Sequence, residues 1–130
     1  MSPTDLVMQS YGRCCASPDF FDSFYRHFLA SSPEVREKFV NTEMNGQKLL
    51  LRQGILNLVM HARGLPDTKL RALGCSHSRA AMDIRPELYV LWQQALLRTI
   101  GEHDQQCCSK TRSAWNEVLE KGIAVIKAGY

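Results

Sequence analysis

His77 is the residue of this 130-residue chain whose type and position most readily support chemistry. It lies in the run Leu73-Gly74-Cys75-Ser76-His77-Ser78-Arg79, which precedes Ile84-Arg85-Pro86-Glu87-Leu88-Tyr89. A neutral helical imidazole suits iron when a hydrogen bond to its second ring nitrogen fixes the tautomer. We expect the backbone carbonyl near Leu73 to accept that bond. Because a lone helical histidine is more often a surface residue, the hypothesis that His77 binds iron depends on the rest of the chain.

The five cysteines offer less chemistry than their number suggests. Two pairs are sequence neighbours, and no C-x-x-C spacing is present (Cys14, Cys15, Cys75, Cys107, Cys108). The spacing therefore does not support a zinc knuckle, a thioredoxin-like motif or c-type haem attachment. We expect unpaired cytosolic thiols, and the alternative is intermolecular disulfide formation or redox sensing.

Composition and charge restrict the class of protein. Hydrophobic residues make up 45% and charged residues 22% of the chain, which is typical of a folded globular domain. The 16 basic and 13 acidic side chains give a net charge of +3, and the basic residues are scattered, so we expect no nucleic-acid partner. No apolar run approaches the ~18 residues of a membrane span, and the start of the chain lacks the features of a signal peptide. We therefore expect a cytoplasmic protein without a membrane partner.

Helix start signals divide the first part of the chain. Pro3 opens a predicted first helix over residues 4–16. The runs Ser17-Pro18-Asp19 and Ser32-Pro33-Glu34 each combine an N-cap, a proline at the first helical position and a first-turn carboxylate. The first run predicts a helix with a broad inward face (Phe20, Phe21, Phe24, Tyr25, Phe28, Leu29). The second predicts a short helix that ends near Phe39.

The remaining segments also have helical periodicity. A polar stretch over residues 41–46 leads into a long helix that ends near Arg63, with one inward stripe (Gln47, Leu51, Gly54, Ile55, Leu58, Val59). Glycine in a helix interior costs about 1 kcal/mol against alanine, so Gly54 predicts the close approach of another helix backbone. Gly64 suits a left-handed C-terminal cap. The helix containing His77 is predicted to continue to about Met82, and two further helices follow. The predicted fold class is therefore all-α, with about seven helices.

Taken together, these motifs resemble the bacterial globins, in particular flavohaemoglobin globin domains and single-domain or sensor globins. The runs Phe24-Tyr25-Arg26-His27-Phe28 and Ser32-Pro33-Glu34-Val35-Arg36-Glu37-Lys38-Phe39 look like the second and third helices of those proteins. Trp115 with Gly122-Ile123 resembles their last helix. The resemblance covers residues 10–130 and implies a compact three-on-three helical sandwich around haem. A two-on-two truncated arrangement is the alternative, and the absence of a Gly-Gly pair argues against it.

The resemblance also implies a role for each site residue. His77 matches the proximal histidine that binds the iron of haem b (iron protoporphyrin IX), and Phe39 matches the phenylalanine that packs on the haem face. Gln47 and Leu51 match two distal positions. Tyr25 offers a hydroxyl that could donate to dioxygen, which carries partial negative charge when bound. The alternatives are a core tyrosine at position 25 and a glutamine at position 47 turned to solvent.

Two further residues are candidates for a role near His77. Arg79 either reaches a haem propionate or is merely solvated. Tyr89 resembles a tyrosine that flavohaemoglobins place behind the proximal histidine, although the connection from His77 is slightly longer here. Flavohaemoglobins add a glutamate at the same place, and the chain offers only Glu117 and Glu120 as possibilities. They also carry a reductase domain, which these 130 residues do not include.

The sequence therefore predicts a single globin domain over residues 1–130 that reversibly binds dioxygen and other diatomic gases. Its role would be that of a gas sensor or an oxygen-binding globin, and a homodimer through the last two helices is expected by family analogy. One alternative is a nitric oxide dioxygenase or a peroxidase-like enzyme that needs a separate reductase. The other is a haem-free signalling module, which the polar residues Tyr25, Gln47 and His77 argue against.

Overall fold

A computed structural model describes all residues, 1–130, and contains seven α-helices and no strand. The helices are α1 (Pro3–Cys15), α2 (Phe20–Ala30), α3 (Pro33–Lys38), α4 (Met44–Ala62), α5 (Thr68–Ser76), α6 (Glu87–His103) and α7 (Ser109–Ala128). The predicted fold class and the number of helices are thus confirmed. None of these helices is both long and apolar enough to cross a membrane.

Three helix boundaries follow directly from their capping residues, and two of them agree with the prediction. The Ser32 hydroxyl accepts a hydrogen bond from the Glu34 backbone N–H, so α3 begins at Pro33 as the sequence predicts. Gly64 adopts a left-handed backbone (φ +97°) just beyond α4, as predicted. α4 starts three residues earlier than predicted, because the Glu43 carboxylate accepts from backbone N–H groups of its first turn.

Two helix boundaries differ from the prediction because side chains or backbone groups bind elsewhere. α2 begins at Phe20 rather than Pro18, since the Ser17 hydroxyl binds Nδ1 of His103 and not the backbone of the next turn. α5 ends at Ser76, so the prediction that it continues to Met82 is wrong. The N–H groups of residues 82–84 return to the carbonyls of Ser76, Ser78 and His77 instead of extending the helix.

The helices form two layers of three, with α1, α4 and α5 packed on α2, α6 and α7. The main contacts between the layers join α7 to α1, α4 and α5, and α2 lies beside α6 within its layer. The largest fully buried side chain is that of Trp115 on α7, and its indole N–H donates to the Ser10 hydroxyl of α1 at 2.9 Å. The short α3 joins α2 to the start of α4 and thereby places Phe39 at one end of the sandwich.

The predicted close helix approach occurs at Gly74 rather than at Gly54. A Cβ atom added to Gly74 would lie 2.8 Å from the Ile126 carbonyl oxygen, so the backbones of α5 and α7 are in contact. A Cβ atom added to Gly54 would meet nothing within 4 Å. The glycine in α4 therefore faces open space, and the prediction of a backbone contact there is wrong.

Candidate functional site

The His77 side chain is held from α6 by Tyr89. His77 is the C-cap residue of α5, and its Nδ1 atom lies 2.8 Å from the Tyr89 hydroxyl oxygen. The Leu73 carbonyl does not take the predicted role, because it accepts from the His77 backbone N–H and from the Ser76 hydroxyl. Tyr89 is only 9% exposed. The orienting partner of the imidazole is therefore a buried side chain on another helix.

Burial keeps both members of this pair uncharged. It lowers the pKa of His77 below its ordinary value, because removal from water disfavours the imidazolium. Burial likewise raises the pKa of Tyr89 to about 12, so its hydroxyl stays protonated near neutral pH. The Nε2 atom of His77 makes no hydrogen bond. When Nδ1 carries the proton and donates to Tyr89, the lone pair of Nε2 is available to a metal ion.

The loop after His77, residues 78–84, is called here the proximal loop, and it is joined to α3. The Lys38 ammonium group donates to the Met82 carbonyl at 3.1 Å. Arg85 forms an ion pair with Glu34, and its Nε donates to that carboxylate at 2.7 Å. These contacts place the segment around Phe39 and the segment after His77 at the same end of the molecule. The sequence gives no direct signal for the Lys38 contact, because its acceptor is a backbone carbonyl.

On the other side, the Tyr25 hydroxyl points to the start of α4. It donates to the Gln47 carbonyl oxygen at 3.3 Å, and the residue is only 5% exposed. Burial raises the pKa of Tyr25 to about 12, whereas the adjoining Gln47 side chain opposes that shift. The hydroxyl is thus a permanent donor near neutral pH. The prediction that positions 25 and 47 come together agrees with this geometry.

Apolar side chains enclose these polar groups. The Phe39 ring packs edge-on against Tyr25 and Phe28, with 5.9 Å between ring centroids in both pairs. Leu51 is buried on the stripe of α4 that also carries Gln47. The Gln47 side chain is half-buried, and its amide makes no hydrogen bond within the chain. A free amide donor, a hydroxyl donor and an apolar wall therefore lie side by side.

Arg79 and the remaining histidines lie outside this group. The Arg79 guanidinium is 5.1 Å above the centroid of the Tyr130 ring, at the end of α7. His27 binds the Glu102 carboxylate at 2.7 Å. His103 bonds two serine hydroxyls, and Nδ1 of His61 is buried without a partner. Of the four histidines, only His77 has its Nδ1 bound to a buried side chain and its Nε2 without a hydrogen bond.

The donor set of this region fits a haem. No group of three or more His, Cys, Asp or Glu side chains could bind a metal ion on its own. A haem, in contrast, needs a single strong axial ligand from the protein, and His77 provides one. Gly54 leaves open space on the same α4 stripe as Gln47 and Leu51, where a side chain would otherwise project. The residues that are present therefore accommodate a flat macrocycle bound through one imidazole.

Comparison with known proteins agrees with this description. A family model described as "Globin" matches residues 22–126. A crystal structure from Pseudomonas aeruginosa PAO1, of a protein described as structurally highly homologous to a human hemoglobin, matches with a TM-score of 0.98 and 66% sequence identity. The match covers 99% of this chain and 98% of that one. No curated protein matches the chain. The matched segments include every residue of the candidate site.

Proposed function

The chain belongs to the globin family, and we propose that it reversibly binds dioxygen and other diatomic gases at a b-type haem held by His77. Haem binding is general in this family. In this proposal residues 1–130 form one globin domain, and the bound gas is either stored or reported to a partner.

The observation that carries the proposal is the half-buried imidazole of His77, which is held through one ring nitrogen only. Tyr89 occupies its Nδ1 atom at 2.8 Å and leaves Nε2 without a partner. A haem, when bound, supplies an iron with one open coordination position for a diatomic ligand. His77 would bind the iron on one face. The Tyr89 hydroxyl oxygen would accept a hydrogen bond from the Nδ1–H group of His77 and so fix the ring orientation.

Tyr25 and Gln47 would act on the opposite face. The present hydrogen bond from Tyr25 to the Gln47 carbonyl is long, at 3.3 Å, so the hydroxyl can turn to another acceptor at little cost. A polar diatomic ligand in the pocket would accept from it and from the Gln47 amide. Phe39 and Leu51 exclude water, which strengthens both hydrogen bonds. This arrangement favours dioxygen over carbon monoxide and predicts slow oxygen release.

The hydrogen-bonded pair of His77 and Tyr89 favours reversible gas binding over catalytic turnover. Cleavage of an O–O bond is assisted by a strongly electron-donating axial ligand. The Nδ1 atom of His77 faces a neutral hydroxyl, and no carboxylate bonds to that hydroxyl. A nitric oxide dioxygenase or peroxidase role therefore has less support than oxygen binding, although oxygenated globins generally react with nitric oxide.

Oxygen release from the Tyr25→Phe variant tests the distal part of the proposal. A hydrogen bond to a ligand with partial negative charge contributes about 1.5–3 kcal/mol, so its loss should speed oxygen dissociation roughly 10–100-fold. Carbon monoxide dissociation should change much less. The Tyr11→Phe variant is the control, because it removes a buried hydroxyl that has no partner. An oxygen dissociation rate equal to that of the control would exclude this role for Tyr25.

The proposed partner surface lies between α6 and α7. A groove of about 490 Å³ there has apolar residues at Val90, Leu97 and Ile123, and Val90 is 49% exposed. We propose that a second copy of the chain covers this groove. Sedimentation equilibrium should show a dimer that the exposed substitution Val90→Glu dissociates. A monomer at all concentrations would contradict it.

A further inference from the structure

We infer that Tyr130, at the end of α7, is a positioning residue for His77. It holds the proximal loop so that α5 ends at His77, and it couples the ligand state of this site to the end of α7. The inference rests on the proposed function, because it assumes that His77 binds haem iron.

Three contacts connect Tyr130 to the proximal loop. The Arg79 backbone N–H donates to the Tyr130 carbonyl at 3.3 Å. The Tyr130 hydroxyl donates to the Asp83 carboxylate. The Arg79 guanidinium lies over the Tyr130 ring at 5.1 Å, within the range of a cation–π contact. Tyr130 therefore binds the loop at both ends, two and six residues after His77.

The first of these contacts explains why α5 stops where it does. In a continuing helix the Arg79 N–H would donate to the carbonyl four residues earlier, at Cys75. It donates to Tyr130 instead, and the Cys75 carbonyl accepts from Ser78 in a tighter turn. The chain then returns, and the Ile84 N–H donates to the His77 carbonyl at 2.9 Å. The proximal loop therefore starts directly after His77 and returns to the His77 carbonyl at its end.

The second contact holds the loop at its least favourable backbone position. Asp83 is the only non-glycine residue with a positive φ, at 52°. Aspartate tolerates this left-handed conformation better than most residues. The hydrogen bond from the Tyr130 hydroxyl anchors the side chain of that same residue. Loss of the Tyr130 hydroxyl would therefore release the loop at Asp83, the residue with the least favourable backbone conformation.

Close backbone packing fixes Tyr130 relative to His77. A Cβ atom added to Gly129 would lie 2.8 Å from the Gly74 carbonyl carbon, and one added to Gly74 would lie 2.8 Å from the Ile126 oxygen. The two glycines bring α5 and α7 into contact just before His77 and just before Tyr130. A displacement of the end of α5, and of His77 with it, would therefore be resisted by the end of α7. If the Tyr130 contacts change the ligand affinity of a bound haem by some free energy, ligand binding must change the stability of those contacts by the same free energy.

The test uses Tyr130→Phe, which keeps the ring over Arg79 and removes only the bond to Asp83. Tyr11→Phe is the hydroxyl control, and Asp83→Asn keeps an acceptor oxygen for Tyr130. Two readouts are needed on haem-loaded chains: amide hydrogen exchange of residues 78–84 and of the end of α7, and the iron–histidine stretching frequency of the ferrous protein. Carbon monoxide association is followed in parallel.

We expect Tyr130→Phe to speed amide exchange in the proximal loop about tenfold, as expected for one lost hydrogen bond. It should also shift the iron–histidine frequency, whereas both controls stay at the wild-type value. In the wild type, ligand binding should change exchange at the end of α7. Faster exchange with an unchanged frequency would show a merely structural contact and overturn the inference. A wild-type chain that takes up no haem would overturn the proposed function, and this inference with it.

Discussion

The hydrogen bond between His77 and Tyr89 decides what the imidazole can do. A carboxylate in place of Tyr89 would draw the Nδ1 proton toward itself and make the ligand more electron-donating. A hydroxyl whose pKa burial raises to about 12 has a much smaller effect. It fixes the ring and its tautomer, and it leaves Nε2 as a neutral donor. At the scale of single residues, this hydrogen bond supports the proposal that His77 binds iron and leaves a bound gas intact.

The Tyr89→Phe substitution should weaken haem retention without unfolding the protein. The ring remains in the core, but Nδ1 of His77 loses its partner and the imidazole gains rotational freedom. Loss of such an outer hydrogen bond typically costs roughly 10–100-fold in metal affinity. Haem transfer to an excess of an acceptor apoprotein measures the change. Transfer as slow as in the wild type would show that Tyr89 does not orient His77.

The long helix α4 supplies both the polar and the open part of the pocket. Gln47, Leu51 and Gly54 lie on one stripe because they are three or four residues apart. Glycine mid-helix is unfavourable by about 1 kcal/mol, and nothing packs against Gly54 to explain it. Under the proposed function, room for the haem accounts for this cost. The helix α4 would then give up some stability in the haem-free state to leave space for the cofactor.

The Gly54→Leu substitution separates these two effects. Helix propensity predicts a haem-free protein that is more stable to urea by up to about 1 kcal/mol, since no atom lies within 4 Å of a Cβ added at this position. The same side chain would occupy the space left for the cofactor, so haem affinity should fall. Gly12→Leu is the matched control, because that helical glycine also faces open space on α1. Unchanged haem affinity in Gly54→Leu would place the cofactor elsewhere.

A buried ion pair joins α1 to the connection between α6 and α7. Nη2 of Arg13 donates to the Asp104 carboxylate at 3.0 Å, and the Ser10 hydroxyl donates to the same group at 2.6 Å. Burial alone would raise the pKa of Asp104, but the hydrogen bonds from Arg13 and Ser10 outweigh it and lower the pKa. Stability from this carboxylate is therefore present above its unfolded-state pKa and is lost as the pH falls through the lower folded-state value.

The Arg13→Ala substitution should leave the Asp104 charge buried with too few partners. Breaking a buried pair in this way costs about 3–5 kcal/mol, and acid unfolding should begin at a higher pH. Arg63→Ala is the control, because its contact with Asp5 is exposed and such pairs contribute about 1 kcal/mol or less. Urea unfolding at neutral pH compares the two. Equal losses of stability would contradict a special role for the buried pair.

At the scale of the whole molecule, the sequence predicts the architecture well and the ends of its elements poorly. Periodicity and proline-containing start signals predict seven helices, and the resemblance to bacterial globins implies a three-on-three sandwich; the structure confirms both. The end of α5 could not be predicted, because it depends on a carbonyl at Tyr130, some fifty residues away in the chain. The resemblance to flavohaemoglobins places Tyr89 behind His77, but the orienting hydrogen bond is predicted to go to the Leu73 carbonyl, because the contact with Tyr89 forms between two separate helices. Local sequence patterns predict which face of a helix is buried. The contacts of Arg79 with Tyr130 and of His77 with Tyr89 form only when the helices pack together.

The absorption spectrum of the purified chain, reconstituted with haem and reduced, tests the central claim that His77 binds haem iron. We predict a Soret band for the wild type that shifts with carbon monoxide and with oxygen. His77→Ala should lose the band or show altered coordination that added imidazole restores, whereas His61→Ala should match the wild type. A wild type without a Soret band, or a His77→Ala spectrum identical to that of the wild type, would contradict the claim.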